Sequence, residues 1–235
     1  MPNCVTLICV TATTPPNDTE ASTSGPLRVV VVDDHKLTAN AIGDAMERHG
    51  MLAVARVHNA ADAIEACSTN TPDALVIDLD LGPGPTGIDV ALEVRKSQRQ
   101  VGVVLLTGYE DPRLLDSTLP ALPPACVYMV KHKLDDTTEV VEAVYLAKKL
   151  ITGPGVKTPV KPRVSLTDAQ VEILRLVSSG LSNQAIAARS SLTLSAVEKA
   201  INRLVRKLDV ESEADTNVRV GLTHRYLDMV GYVRD

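Results

Sequence analysis

Apolar residues fall in short blocks along the first two thirds of the chain. Leu27-Arg28-Val29-Val30-Val31-Val32 is a β-branched run closed by Asp33-Asp34. Such a run predicts a buried strand whose C-terminal end carries the acidic pair. From about Lys36 to His49 the apolar positions Leu37, Ala41, Ile42, Ala45 and Met46 adopt helical spacing. Met51–Val57 reads as a second strand and Ala60–Cys67 as a second helix. Ala74-Leu75-Val76-Ile77, closed by Asp78, is a third strand, and a helix from about Gly87 to Ser97 follows. Val101–Leu106, closed by Thr107, is a fourth. A short helix is expected within Pro112–Leu119, curtailed by Pro120, Pro123 and Pro124. Cys126–Val130, closed by Lys131, is the fifth strand, and a helix covers about Asp135–Leu150. Strands alternating with helices predict an α/β fold: a doubly wound five-stranded parallel sheet with right-handed crossovers.

The flanks differ. Thr, Pro, Ser and Asn crowd the stretch before Leu27, so residues 1–26 read as a disordered tail and 27–150 as the α/β domain. Gly153, Pro154, Gly155, Pro159 and Pro162 mark a linker over 151–164. Beyond it, 165–235 shows only helical periodicity, as a small all-α domain. Thr167 caps a helix beginning at Asp168, which places a carboxylate in the first turn; Val171, Leu174 and Val177 share one side, and Gly180 ends it. Ser182 caps a second helix carrying Ile186 and Ala187. Ser195 starts a third, with Val197, Ile201, Leu204, Val205 and Leu208 as its buried stripe.

Composition sharpens this picture. The chain has 235 residues, 45% of them hydrophobic, with five Tyr and no Phe or Trp. Its core must be Val, Leu, Ile and Ala, which suits parallel strands buried on both faces. Cys4, Cys9, Cys67 and Cys126 lack metal-ligand spacing and read as free thiols of a reducing cytosol. The apolar stretch Cys4–Val10 has no preceding basic residue and is too short to span a bilayer, so a cytoplasmic protein with no membrane partner is expected. The net charge of −5 argues against a general polycation, but from Arg175 to Lys207 the cations Arg175, Arg189, Lys199, Arg203, Arg206 and Lys207 face only Glu198. A local basic helical surface suits phosphate attraction, although an ordinary solvated helix can look the same.

Candidate chemistry gathers at the strand ends. In an open parallel sheet, functional groups collect beyond the carboxyl ends of the strands. Asp33, Asp34, Asp78, Thr107 and Lys131 close four of the five strands. Singly, each is an ordinary polar residue facing water. Together, three carboxylates at one rim repel, which raises at least one pKa and invites Mg²⁺. Thr107 and Lys131 complete a place for a phosphoryl group.

The segment from about Leu27 to Leu150 resembles the receiver domain of two-component response regulators, through V-V-V-V-D-D, L-V-I-D-L-D-L, L-L-T-G and Y-M-V-K. The resemblance implies that Asp78 is the phospho-acceptor. It implies that Asp34 ligates Mg²⁺ directly, that Asp33 helps through water, and that the Asp80 backbone carbonyl adds a ligand. Thr107 would hydrogen-bond the phosphoryl oxygen, Lys131 would pair with it, and Tyr128 would be the switch aromatic. One departure is the loop Leu79–Gly87, a residue longer than usual and rich in Gly and Pro.

L-T-D-A-Q-V-E-I-L-R-L-V-S-S-G-L-S-N-Q-A-I-A and the following A-V-E-K-A-I-N-R-L-V-R-K-L, over about Leu166–Glu211, resemble the LuxR-type helix-turn-helix. The third helix would then lie in the major groove, as recognition helices do. Glu198, Lys199 and Asn202 would reach base edges, and Asn183, Ser195, Arg203, Arg206 and Lys207 would meet phosphates. Glu198, Ala200 and Ala185 stand where that family commonly has Lys, His and Glu.

The function implied is a regulator rather than an enzyme. A partner sensor histidine kinase would phosphorylate Asp78 with Mg²⁺, switching binding to double-stranded DNA and transcription, with a homodimer as one form of the switch. One alternative is a signalling protein whose helical domain binds protein, for which Glu198 is the warning sign. Another is an acyl-phosphate phosphatase of the haloacid dehalogenase type. Those enzymes carry D-x-D on the first strand, whereas Asp78-Leu79-Asp80 lies on the third and leaves Asp33-Asp34 without a role.

Overall fold

The computed structural model describes residues 25–153, 166–210 and 217–232. The expected tail and linker lie almost wholly outside the described residues. The sheet comprises β1 (Arg28–Val32), β2 (Leu52–Val57), β3 (Ala74–Asp78), β4 (Gly102–Thr107) and β5 (Cys126–Val130), all parallel, in the order β2-β1-β3-β4-β5. The strand order reverses between β1 and β3, the point at which such sheets bind ligands. Helices α1 (Lys36–Arg48) and α4 (Thr138–Thr152) cover one face, and α2 (Ala60–Asn70) and α3 (Gly87–Ser97) the other.

Side chains alternate across the pleat, so each strand feeds both cores. Val29, Val31, Val76, Val104 and Leu106 meet Ile42, Met46, Val140 and Val144 on one side. Val30, Val32, Leu75, Ile77, Val103 and Leu105 meet Ala63, Cys67, Ile88 and Val94 on the other. Both faces being apolar explains why the strands read as continuous runs rather than alternating ones.

Two expectations about helices are corrected. Between β4 and β5 the short helix expected within Pro112–Leu119 shrinks to a 3₁₀ turn at Pro112–Leu114. Its Leu114 is 4% exposed and buries itself away from the sheet, so no amphipathic helix is built there. The third helix of the C-terminal part begins at Leu194, not Ser195. Thr193 is its cap and accepts a hydrogen bond from the Ala196 N–H at 3.2 Å.

Among the described residues, the C-terminal part holds the helices α5 (Asp168–Ser178), α6 (Asn183–Arg189), α7 (Leu194–Lys207) and α8 (Val218–Met229). Thr167 and Gln170 make a reciprocal capping box for α5, and Ser182 caps α6, as their spacing predicts. Leu174, Ile186, Val197, Ile201, Leu204, Leu222 and Met229 fill the core. Leu114 joins that same core from the sheet-bearing part, and Tyr109 packs against both cores.

Among the described residues, the polar contacts between the two parts start from residues 110–114. The Arg113 guanidinium pairs with Asp168 at 2.6 Å and donates to the Leu166 carbonyl at 2.5 Å. Arg175 donates to the Arg113 carbonyl at 2.7 Å. The buried Glu110 carboxylate receives both terminal nitrogens of Arg225 at 3.1 Å and Lys133 Nζ at 2.8 Å. Gly231, with φ +78°, passes so close that a Cβ there would stand 3.0 Å from the Gly108 carbonyl oxygen.

Candidate functional site

The strand-end residues converge. Lys131 Nζ sits between two carboxylates, 2.7 Å from Asp33 Oδ2 and 2.6 Å from Asp78 Oδ2. Asp33 and Asp78 are buried, while Lys131 keeps 27% of its side chain exposed. Thr107 ends the strand next to Asp78 and is fully buried. Burial pushes the Asp78 carboxyl above its ordinary range; Lys131 opposes this and Asp33 adds to it. Burial also works against the Lys131 charge, but the two carboxylates outweigh it and hold the ammonium above its ordinary range.

Asp33 and Asp34 differ in what they have left to offer. Asp33 accepts Lys131 on one oxygen and the His35 backbone N–H, at 2.9 Å, on the other. Asp34 is half-exposed, and its recorded partner is His35 Nδ1 at 2.7 Å. Ligand atoms of Asp33, Asp34 and His35 lie within 4.8 Å of one another. His35, which sequence reasoning passed over, is thus part of this cluster. Its signal was simple adjacency to the acidic pair.

Hard oxygen donors at one rim fit Mg²⁺, which prefers one or two carboxylates and retained waters. Asp80 stands beside Asp78 and donates its N–H to Asp78 Oδ1 at 3.3 Å. The longer loop after Asp78 is well anchored. Leu79 and Leu81 point into the core, Gly82 and Gly84 take left-handed conformations, and the Gly87 N–H returns to the Leu79 carbonyl at 2.9 Å. A Cβ at Gly87 would meet the Asp78 carbonyl oxygen at 2.0 Å, so only glycine lets α3 start against the Asp78 backbone.

Tyr128 and Thr107 address the same short stretch. Thr107 Oγ1 accepts from the Tyr109 N–H at 3.1 Å, and the Tyr128 hydroxyl donates to the Tyr109 carbonyl at 2.7 Å. Burial drives the Tyr128 hydroxyl far above its usual range, so it serves as a donor.

Residues 29–121 match the family described as the response regulator receiver domain, and residues 164–219 match bacterial regulatory proteins of the luxR family. The probable transcriptional regulatory protein NarL of Mycobacterium tuberculosis is 30% identical over 217 residues, covering 86% of this chain and 96% of that protein. The chain is a response regulator. The response regulator protein VraR of Staphylococcus saprophyticus is 29% identical over 202 residues, covering 79% of this chain and 92% of VraR. The fold is that of the two-component response regulator RcsB in its DNA complex, with a TM-score of 0.53 at 19% identity over 88% of this chain and all of RcsB.

In this response regulator the helix-turn-helix candidates separate into two groups. Ser195, Glu198, Lys199, Asn202, Arg203, Arg206 and Lys207 are exposed along α7, opposite its buried Val197, Ile201 and Leu204. Arg206 donates to the Asn202 carbonyl at 3.3 Å, and Lys207 reaches Gln170 at 3.1 Å. Asn183 is half-buried, and its Oδ1 accepts from Arg219 at 2.6 Å, while Arg219 also donates to the Leu181 carbonyl. Arg175, counted with the basic stretch in sequence, serves the contact with Arg113 instead. Glu110, Arg113 and Arg225 were not singled out from the sequence. Among the described residues no helix is long and apolar enough to cross a membrane.

Proposed function

We propose that Asp78 accepts a phosphoryl group from a sensor histidine kinase and that this controls how α7 engages double-stranded DNA. The observation that carries the reading is the Asp33–Lys131–Asp78 constellation at the rim of the sheet. An Asp78 carboxylate oxygen attacks phosphorus; the new P–O bond forms as the P–N bond of the donor's phosphohistidine breaks, and the imidazole leaves with the bonding pair. Catalysis of this transfer is positioning and charge stabilisation. Lys131 is placed to follow the charge onto the phosphoryl oxygens, and Thr107 is the neighbouring hydroxyl donor. Asp34 has the freest carboxylate for direct contact with Mg²⁺, with Asp33 behind it and Asp80 beside it; the ion supplies charge neutralisation on the transferring group.

On this reading residues 27–150 are the receiver, 151–164 the linker and 165–235 the DNA-binding domain, and the protein works in the cytoplasm, with a homodimer as its DNA-bound form. Glu198, Lys199 and Asn202 face base edges; Ser195, Arg203, Arg206 and Lys207 flank them toward phosphates. Asn183 lies at the start of α6 on the same domain, steadied by Arg219. Acetyl phosphate with Mg²⁺ should modify wild-type protein at Asp78, read by mass spectrometry, and should leave Asp78→Asn unlabelled. A phosphoryl group on another residue, or labelling indifferent to EDTA, refutes the assignment.

A further inference from the structure

The exposed side of α7 is organised as two ridges. In an α-helix, residues four apart stand nearly above one another on the surface. Leu194, Glu198 and Asn202 form one such ridge, and Ser195, Lys199, Arg203 and Lys207 form the ridge beside it. These residues are all exposed, while Val197, Ile201 and Leu204 occupy the buried side. The second ridge carries a hydroxyl and cations, the groups that meet phosphate oxygens and guanine. The first is chemically mixed: an apolar group, an acceptor and an amide, in that order.

That first ridge is idle within the described residues of the domain. Leu194 is 42% exposed and belongs neither to the helical core nor to the apolar residues packed around it. An apolar side chain in the first turn neither caps α7 nor complements its dipole, and Thr193 already supplies the cap. Leu192, exposed on the preceding turn, borders a cleft with Ala169 and Ile173, which Leu194 does not line. Glu198 sits on a cation-rich face. Yet the residues three and four away from it are Leu194, Ser195, Ile201 and Asn202, so no cation of α7 stands where a helical ion pair forms. Among the described residues, neither the Glu198 carboxylate nor the Asn202 side-chain amide has a hydrogen-bonding or ionic partner.

We propose that this ridge reads three bases in the major groove, and that Leu194 is a specificity-determining residue that packs on a thymine methyl group. This rests on the reading of α7 as the DNA-recognition helix, a helix whose N-terminal residues contact base edges. Each group then has one kind of partner. A leucine side chain offers only apolar contact, and the C5-methyl group of thymine is the apolar feature of the major groove. The Glu198 carboxylate only accepts, so it takes the cytosine N4 amine and is repelled by the acceptors of guanine and thymine. Asn202 donates and accepts at once, as adenine N6 and N7 require. Four residues of helix advance about 6 Å and one base step about 3.4 Å, so successive readers fall about two base pairs apart. The expected half-site is thymine, cytosine and adenine at that spacing, with Leu194 and Asn202 at its two ends.

The full chain, with and without acetyl phosphate and Mg²⁺, selects binders from a randomised duplex library, and the enriched half-site is remade with single altered bases. Replacing thymine by deoxyuridine removes one methyl group and leaves the protein untouched. At the Leu194 position this is expected to weaken wild-type binding roughly four-fold, the worth of one buried methyl group, and Leu194→Ala is expected to be indifferent to it. At the Glu198 position, exchanging the cytosine–guanine pair for uracil–adenine turns the amine into an acceptor and is expected to cost about ten-fold or more. Glu198→Gln, which can donate to that acceptor, is expected to lose the discrimination. Three results overturn the role of Leu194 while leaving α7 its DNA-reading role: no thymine enriched beside the cytosine, a methyl group removed without loss, or a Leu194→Ala variant as sensitive to its removal as wild type. A wild-type chain that enriches no sequence under either condition removes α7 from DNA reading, and this ridge with it.

Discussion

Replacing Lys131 by Met removes the charge between Asp33 and Asp78 while keeping most of the stem. Two buried carboxylates are then left facing each other without their ammonium. Breaking a buried pair from one side costs about 3–5 kcal/mol; because Lys131 keeps 27% of its side chain in contact with water, a loss near the lower end, about 3 kcal/mol, is expected at neutral pH. The pH dependence has a definite sign. Asp78 already has a raised pKa, so its ionised form costs stability above that value and the cost is relieved as pH falls through it. Lys131 is a lowering influence on Asp78, so its removal raises that pKa further and strengthens the relief. The stability gap between wild type and variant therefore narrows on acidification from pH 7.5 toward pH 5. Mg²⁺ supplies the missing charge by a second route: a ligand at 100 times its Kd adds about 2.7 kcal/mol to the state that binds it. Urea unfolding followed by far-UV circular dichroism, at both pH values with Mg²⁺ and with EDTA, measures all four quantities. A loss that is the same at both pH values and indifferent to Mg²⁺ refutes the electrostatic account of the rim.

Gly87→Ala puts a Cβ against the Asp78 carbonyl oxygen, and overpacking of this kind costs about 1–3 kcal/mol; acetyl phosphate labelling is expected to fall with it, and unchanged labelling would show that the acceptor loop tolerates the shift. Burial pushes the Glu110 carboxyl up, but Lys133 and Arg225 outweigh it and hold the group below its ordinary range. A depressed carboxyl favours docking above about pH 4.3 and loses that support only as pH falls through its lowered value, so scattering should show the domains staying together in mild acid and separating below the ordinary Glu range, and Glu110→Gln should remove that transition. On DNA, Asn202→Ala is expected to cost roughly 1–3 kcal/mol at a single base position. Arg206→Ala is expected to weaken all sequences alike and flatten the salt slope by about 0.9, read from binding to a randomised operator library at two salt concentrations. Glu198→Lys should raise non-specific affinity, and three variants indistinguishable from wild type would remove α7 from the DNA-reading role.

The acceptor rim was legible because its signals are local. Four of the five strands end at the residue that matters, so Asp33, Asp78, Thr107 and Lys131 announce their own positions. Parallel topology then brings them together, and Lys131 meets Asp78 from 53 residues away. The start of α7 was misread by one residue because Thr193 and Ser195 are both residues found at helix starts, and Thr193 is the one that caps. Leu114 was assigned to a local helix because its partners were sought in its own domain. The pairs Arg113–Asp168 and Glu110–Arg225 join residues 55 and 115 apart, and such pairings have no periodicity for a sequence to display. Arg175 shows the same limit from the other side: a cation beside basic neighbours counts toward a DNA-facing patch until its carbonyl partner on Arg113 is visible.

The 3₁₀ turn at Pro112–Leu114 has a consequence for how the protein is made. A receiver that built a helix there could bury its own apolar side chains as soon as it left the ribosome. Here Leu114 finds its cover only when α5 and α8 have emerged, and α8 ends at Met229. At about 5–20 residues per second, Leu114 waits on the order of six to twenty seconds for that cover. The nascent chain thus spends a vulnerable interval with a leucine and its neighbouring Tyr109 open to chaperones or to other nascent chains, and truncation within the C-terminal part should trap it in that state.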